Sequence, residues 1–336
     1  MSGQQQTIVV DKKKLKKWGK GEKQRVLQYL LMLFPGTLFL FVFNYLPLPG
    51  IILAFKKYKL SMPGADANFF TRNIFINSML KSKWIGFDNF KFLFSSDNAI
   101  IATRNTVLYN LVFIILGLFL AVVLAIAITE LRNRRMAKLY QTIFFLPFFL
   151  SWIAVSYLVY ALLSTDLGVV NRAILAPMGI EAVRWYTKID AWPFIIVLAN
   201  AWKYTGNGSI IYIATITGFD PQLYEAAAID GASKMQQIFR ITIPQLTPIM
   251  VMLTILAVGR MFRADFALFF ALPNNSGTLK DVTSVLDVYV YNMLQNGSTG
   301  LGRPAAAGLY QSFVGFILIF SANALVNKID TNLALF

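Results

Sequence analysis

Long apolar runs alternate along the chain with short segments that are basic or rich in Asn, Gly and Thr. Six runs qualify as membrane crossings: roughly 28–54, 105–129, 140–163, 193–215, 245–272 and 304–326. Each reaches the roughly 20 residues that a helix needs to span the hydrocarbon core. The pattern predicts an all-α, polytopic membrane protein with six transmembrane helices. An even number of spans puts both termini on one side.

Composition agrees: 57% of the 336 residues are hydrophobic and only 14% charged, against about a quarter charged in soluble domains. The net charge of +15 does not point to nucleic acid, because the basic residues flank apolar runs instead of forming a compact basic domain with interleaved aromatics. Lys12 to Arg25 holds eight basic residues and the loop 130–138, ELRNRRMAK, four more. The positive-inside rule then places both in the cytoplasm. The external segment 56–104 also holds eight, spread over twice the length. The basic run at 12–20 precedes an apolar stretch too long for a signal h-region, so the first span is expected to be retained. Its lysines suit anchoring at a membrane surface.

Between spans four and five lies YEAAAIDGASKMQQIFRITIPQL, Tyr224 to Leu246, a polar stretch on the cytoplasmic side. Asp220 followed by Pro221 is an N-cap and N1 pair that starts a helix. Gly231 supplies the positive φ that closes it. Ser233 with Gln236 reads as a capping box opening a second helix, and Pro244 is expected to mark the turn back into the membrane. Leu223, Ala226 and Ala227 give the first helix a slim apolar face. Met235, Ile238 and Phe239 give the second a stripe. The product is a protruding elbow, with Glu225 offering a charge and three consecutive alanines permitting close approach.

The spacing Glu225-Ala226-Ala227, three residues, Gly231, nine residues, Ile241-x-Ile243-Pro244 resembles the signature of the integral-membrane subunits of binding-protein-dependent ABC importers. It departs from that signature only in Ile243, where leucine is usual. The likeness covers about residues 100–330, where TRNTVLYN and FLPFFLSW resemble the carbohydrate-uptake branch. YLLMLFPGTLFLFVFNYLPLPGIILAF and WIGFDNFKFLF resemble its complex-oligosaccharide subgroup. The resemblance implies the type I ABC importer permease fold. Residues 1–25 then form a basic cytoplasmic tail, 26–104 the first transmembrane helix with an external lateral segment, and 105–330 the core permease domain. Coupling helices fall at about 220–244. It also implies that Glu225, Ala226, Ala227, Asp230, Gly231, Ile241 and Pro244 dock a separate cytoplasmic ATPase, with Glu225 meeting a basic group there. The implied partners are a second permease subunit in a heterodimer, two ATPase subunits, an extracytoplasmic solute-binding protein and the lipid bilayer, without nucleic acid. The implied place is the bacterial cytoplasmic membrane. No cofactor is expected on this chain, since ATP and Mg belong to the ATPase. The sequence has no G-x-x-x-x-G-K-[ST] phosphate loop.

Ionisable groups within spans are costly and normally face a cavity or a partner. Span five carries GRMFRADFALFF, with Arg260 and Arg263 three residues apart on one helix face and Asp265 off it. At 1.5 Å per residue the two arginines fall within roughly 2–7 Å of the bilayer centre. Phe262, Phe266 and Phe269 supply ring faces. Span four offers Asn200, Trp202, Lys203 and Tyr204. Arg260, Arg263, Asp265, Phe266, Trp202, Lys203 and Tyr204 are therefore the candidate substrate path, suited to hydroxyl-rich or acidic sugars. The alternative reading is scaffolding, by a salt bridge at span five and an ordinary polar helix interface at span four. Asn110 in span two carries less weight. Small-residue ladders (Gly117, Ala121, Ala125 and Gly308, Ser312) read as helix packing, and Pro35 and Pro147 as kinks.

Cysteine and histidine are both absent, which excludes disulfides, thiol nucleophiles, imidazole bases and Cys/His metal sites. Asp265 is the one acid deep in a span, so a membrane-embedded enzyme lacks its paired carboxylates. A secondary transporter would want a titratable relay or an inverted repeat, and a channel would leave the elbow unexplained. The expected function is the permease half of an ATP-driven oligosaccharide importer. The alternatives are a permease for another binding-protein-delivered solute, such as an acidic sugar, and a secondary transporter.

Overall fold

The structure is a computed structural model that describes residues 20–59, 73–295 and 300–335. The lysine run up to residue 19 lies outside the described residues, so its expected anchoring role does too. Chain contacts divide the molecule into two units, Met1–Ile51 and Ile52–Phe336. The first contains α1, Lys20–Leu40, which carries Pro35 without ending there and runs on as a π-helical turn over Phe41–Tyr45.

In the second unit a short antiparallel ladder joins β1 (Lys56–Lys57) to β2 (Lys83–Trp84). Between them stands α2, Ile74–Lys81, whose N-cap Asn73 accepts hydrogen bonds from the amides of Phe75 and Ile76. After α3 (Phe92–Ser95) the chain enters the long α4, Asp97–Thr129. Asn89 is buried and donates to the carbonyls of Ala54 (3.0 Å) and Lys56 (2.9 Å), which ties the stretch before α3 to the start of β1 within this unit.

The remaining helices are α5 (Arg134–Phe145), α6 (Trp152–Leu163), α7 (Trp192–Thr217), α8 (Pro221–Ile229), α9 (Lys234–Gln237), α10 (Ile243–Gly259), α11 (Phe266–Ala271), α12 (Lys280–Thr283), α13 (Leu286–Gln295) and α14 (Gly302–Ile329). α4 packs along α7, and α10 along α14. Ala121 and Ala125 are buried in the first seam, where a Cβ at Gly208 would lie 3.2 Å from the Ala121 Cβ. Gly206 brings α7 so close to α5 that any side chain would collide with the Phe144 carbonyl. The Gly308/Ser312 ladder behaves differently from expectation. A Cβ at Gly308 meets open space, whereas one at Gly315 would sit 2.6 Å from the Gly259 carbonyl oxygen, so Gly315 makes the α10–α14 approach.

Between α6 and α7 the loop is organised by Asn171. Its amide donates to the carbonyls of Ser164, Thr165 and Val183, and its oxygen accepts from the Val183 amide and the Trp185 indole. Tyr186 packs edge-on against Trp192 at 5.1 Å, and burial first, then neighbouring Tyr160, pushes its hydroxyl up to about 12.

Among the described residues four helical stretches are long and apolar enough to cross a membrane: Gln24–Phe55, Asp97–Thr129, Lys234–Gly259 and Gly302–Ile329. A fifth exists if Arg134–Phe149 and Trp152–Leu163 count together, though they meet at 99°. Expected span three is thus two helices. Pro147 removes an amide donor, and Leu150 and Ser151 are extended before the Ser151 side chain caps α6 through the Ala154 amide. α7, the expected fourth span, is 26 residues long, about 39 Å at 1.5 Å per residue. It falls short of the others in apolarity because its middle carries Asn200, Lys203 and Asn207. Expected span five also breaks, at Gly259.

Candidate functional site

The elbow forms as its capping chemistry dictates. Asp220 accepts from the Gln222 amide at 3.0 Å and Pro221 opens α8. Gly231 takes φ +79°, and the chain closes α8 through the Ala232 amide on the Ala227 carbonyl. Both arms of the Ser233–Gln236 capping box are present. The turn expected at Pro244 is absent. α9 passes through a π-helical turn, Ile238–Thr242, directly into α10, so the helical course runs unbroken from Lys234 to Gly259. Pro244 sits in the first turn of α10, where its missing amide costs least. The Tyr224 hydroxyl lies 3.0 Å from that of Thr242 and braces α8 against the π-turn. Lys234 pairs with Glu130 at the end of α4 at 3.0 Å.

The elbow leaves its apolar side chains outside. Ile229 is 87% exposed, and Leu223, Met235 and Phe239 are exposed with it. Glu225, Ala226, Asp230 and Gly231 are exposed, while Ala227 and Ile241 are partly covered.

At the far end of α10 the helix stops, and residues 260–265 form turns and extended chain before Asp265 caps α11 through the Leu268 amide. The helix face on which Arg260 and Arg263 were expected does not exist. Backbone freed by such a break must be satisfied by neighbours. Asn110 of α4 donates to the carbonyls of Met261 (3.0 Å) and Arg263 (3.2 Å). Gln311 of α14 donates to that of Phe262 at 2.8 Å. Asp287 of α13 accepts from the Ala264 amide at 2.8 Å and from Gln311 at 3.2 Å. Sequence reasoning undervalued Asn110 and missed Gln311 and Asp287. Their signal is a polar side chain on an otherwise apolar helix.

Both arginines nonetheless open on one groove of about 550 Å³, with Phe262, Gln311, Ser312 and Phe316 in its lining. Arg263 donates to Ser312 at 3.1 Å. Arg260 has no polar side-chain partner among the described residues.

Trp202, Lys203, Tyr204, Asp265 and Phe266 do not line that groove. Lys203 is only 5% exposed and donates to the carbonyls of Pro147, Phe148 and Leu150 at the bend between α5 and α6. Asp265 accepts from the Trp152 indole (2.6 Å) and the Tyr204 hydroxyl (2.8 Å), joining α11 to α6 and α7. Phe266 stacks on Phe270 at 5.1 Å, and Trp202 borders a separate apolar hollow with Val155 and Leu198. Among the described residues no cluster of three or more carboxylates offers a metal site.

Residues 114–333 match the family described as binding-protein-dependent transport system inner membrane component. Two relatives come from Bacillus subtilis (strain 168). Protein LplB is 31% identical over 89% of this chain and 88% of its own length. The polygalacturonan/rhamnogalacturonan transport system permease protein YteP is 31% identical over 89% of this chain and 87% of its own. A solved structure, a chain of a bacterial ABC transporter involved in the import of the acidic polysaccharide alginate, superimposes with a TM-score of 0.78. It is 30% identical and covers 93% of this chain and 98% of its own. The chain is therefore a multi-pass membrane subunit of a transport system and not an enzyme: it belongs to the binding-protein-dependent transport system inner membrane component family.

Proposed function

We propose that this chain is the permease subunit of an ATP-driven oligosaccharide importer, forming half of the translocation pathway and docking a separate ATPase through the elbow. The observation that carries the docking is the elbow itself. It is a doubly capped helix pair with exposed Glu225 beside three alanines, continuous with a helix that ends at the groove. A push on α9 is transmitted along α10 because the helical course between them has no hinge. The relatives that transport polygalacturonan, rhamnogalacturonan and alginate support the sugar reading. A second permease subunit, two ATPase chains and an extracytoplasmic binding protein complete the machine, with both termini of this chain in the cytoplasm. The solved alginate importer in complex with its pentasaccharide-bound periplasmic protein supports that assembly. Within this subunit the sugar passes Arg260 and Arg263, while Lys203, Tyr204 and Asp265 hold the helices that frame the passage.

The test is charge reversal. Glu225→Lys places a cation against the basic group expected on the ATPase. The variant should insert and pair with the second permease but lose ATPase co-purification or sugar-stimulated hydrolysis at least tenfold. Normal uptake by this variant would sink the docking assignment.

A further inference from the structure

The groove at the end of α10 is lined by positive charge and by no negative charge. Its lining contains Arg260 and Arg263 and no carboxylate. Asp265 ends the broken segment but is bonded to Trp152 and Tyr204, and Asp287, which accepts from the Ala264 amide and the Gln311 side chain and attracts the Arg263 guanidinium, is not part of the lining. The ion pairs among the described residues, Lys91 with Asp88 and Lys234 with Glu130, lie elsewhere. Arg260 occupies the C-cap of α10, where a cation offsets the helix dipole. That accounts for one positive charge at a helix end, while Arg263 donates to Ser312 and is attracted by Asp287 from outside the lining, so one acid stands against two guanidinium groups. A guanidinium group within a membrane span costs up to about 2.5–3.5 kcal/mol even on a lenient scale. A groove built for neutral sugars needs no such excess, since hydroxyls are met equally well by amides, hydroxyls and balanced charge.

We infer that Arg260 and Arg263 form an anion-selective subsite that takes the carboxylates of uronate-bearing oligosaccharides as they cross the membrane. The inference rests on the importer reading and narrows its substrate to acidic sugars. Guanidinium suits the task because its planar fork meets a carboxylate with two parallel hydrogen bonds. Phe262 and Phe316 line the same groove and offer apolar surface to the C–H faces of a pyranose ring. The volume of about 550 Å³ falls within the roughly 300–1,000 Å³ of small-molecule sites. The groove is open in this chain, so a facing subunit closes it around one or a few sugar residues at a time.

The experiment uses the complete importer in proteoliposomes with its own binding protein and ATP inside. The probes are two pooled digests, oligogalacturonate with oligoalginate and the carboxyl-reduced, neutral form of the same chains, with imported members identified by mass spectrometry. Wild type should import carboxylated members at least tenfold faster than reduced ones. Arg260→Gln and Arg263→Gln should each lower that uptake tenfold or more at unchanged complex yield, with Arg→Lys restoring part of it. Reduced chains imported as fast as acidic ones overturn the acidic-sugar assignment and leave the importer reading standing. So does loss of complex yield in both Gln variants, which assigns the arginines to scaffolding. Uptake of neither pool overturns it too, and if the binding protein then fails to stimulate ATP hydrolysis, the importer reading falls with it.

Discussion

Two membrane helices break in this chain, and the breaks are mended in opposite ways. Between α5 and α6 the freed carbonyls of Pro147, Phe148 and Leu150 converge on one cation, Lys203, which is buried and further faced by the rings of Phe148, Trp152 and Tyr204 at 5.4 to 5.8 Å. Between α10 and α11 the freed groups go to Asn110, Gln311 and Asp287, and the two cations of that segment are left on the groove. A positive charge inside a span is thus not one kind of feature. Where carbonyls absorb every N–H it carries, it is a structural plug. Where other side chains, here Asn110, Gln311 and Asp287, have taken that work, the cation is available to a substrate. Asp265 connects the two breaks, capping α11 while accepting from Trp152 at the start of α6 and from Tyr204.

The largest effect should come from removing the plug. Lys203→Met keeps the length of the stem but takes the lysine donor from three carbonyls in a water-poor site. Among the described residues only the Pro147 carbonyl retains another donor, the Leu150 amide. Each buried carbonyl left unsatisfied costs about 1–3 kcal/mol. The complex is expected to fail to accumulate, or to lose ten degrees or more in thermal melting of the detergent-solubilised importer. Near-normal yield and melting would erase the distinction between the two breaks, since Lys203 would then be as dispensable to the fold as Arg263.

A smaller loss is expected at the second break, because its repair is divided among three side chains. Asn110→Leu removes the donor to the Met261 and Arg263 carbonyls but leaves the Gln311 and Asp287 contacts in place. Hydrogen bonds of this kind within membranes contribute about 0.6–2 kcal/mol. The variant should assemble, melt a few degrees lower and show uptake reduced several-fold, because the loop that carries Arg263 is no longer fixed. A collapse as complete as that of Lys203→Met would mean that Asn110 alone holds the break.

How much of this was legible in the sequence follows the same line. The elbow was readable almost residue by residue, since Asp220, Pro221, Gly231, Ser233 and Gln236 act on their own neighbours through capping and φ. The breaks were not. A run such as 245–272 stays apolar across Gly259, and hydropathy records how oily a segment is without recording where its hydrogen bonds go. Pro147 announced a distortion but not a bend of 99°, which needs Lys203 from a helix 56 residues away to stabilise it. Grouping Lys203, Tyr204 and Asp265 with the arginines followed from residue type. Long-range pairing separates them, and only the fold supplies it. Pro244 misled for a local reason. A proline at the start of α10 is compatible with a helix arriving from α9 when a π-turn absorbs the lost amide.

The finest test of the comparison is Ser312→Ala. Among the described residues Ser312 is the side chain hydrogen-bonded to the Arg263 guanidinium, at 3.1 Å, and both are exposed to the groove. If Arg263 were a second plug, this hydroxyl would be part of its anchorage and its loss would be felt in the fold. If the guanidinium is held ready for a carboxylate, the hydroxyl only steadies it, and water replaces the bond between cycles. An exposed hydrogen bond of this kind contributes about 0.5–1 kcal/mol at most. Ser312→Ala is therefore expected to melt within a degree or two of wild type and to reach the same complex yield. Half-saturating uptake should need a few-fold more binding protein–sugar complex, since the waiting guanidinium samples more rotamers before each encounter. The measurement is thermal melting beside an uptake titration of the reconstituted importer. A drop of five degrees or more with unchanged uptake would place Arg263 beside Lys203 among the structural cations, and the passage would have to be lined by other groups.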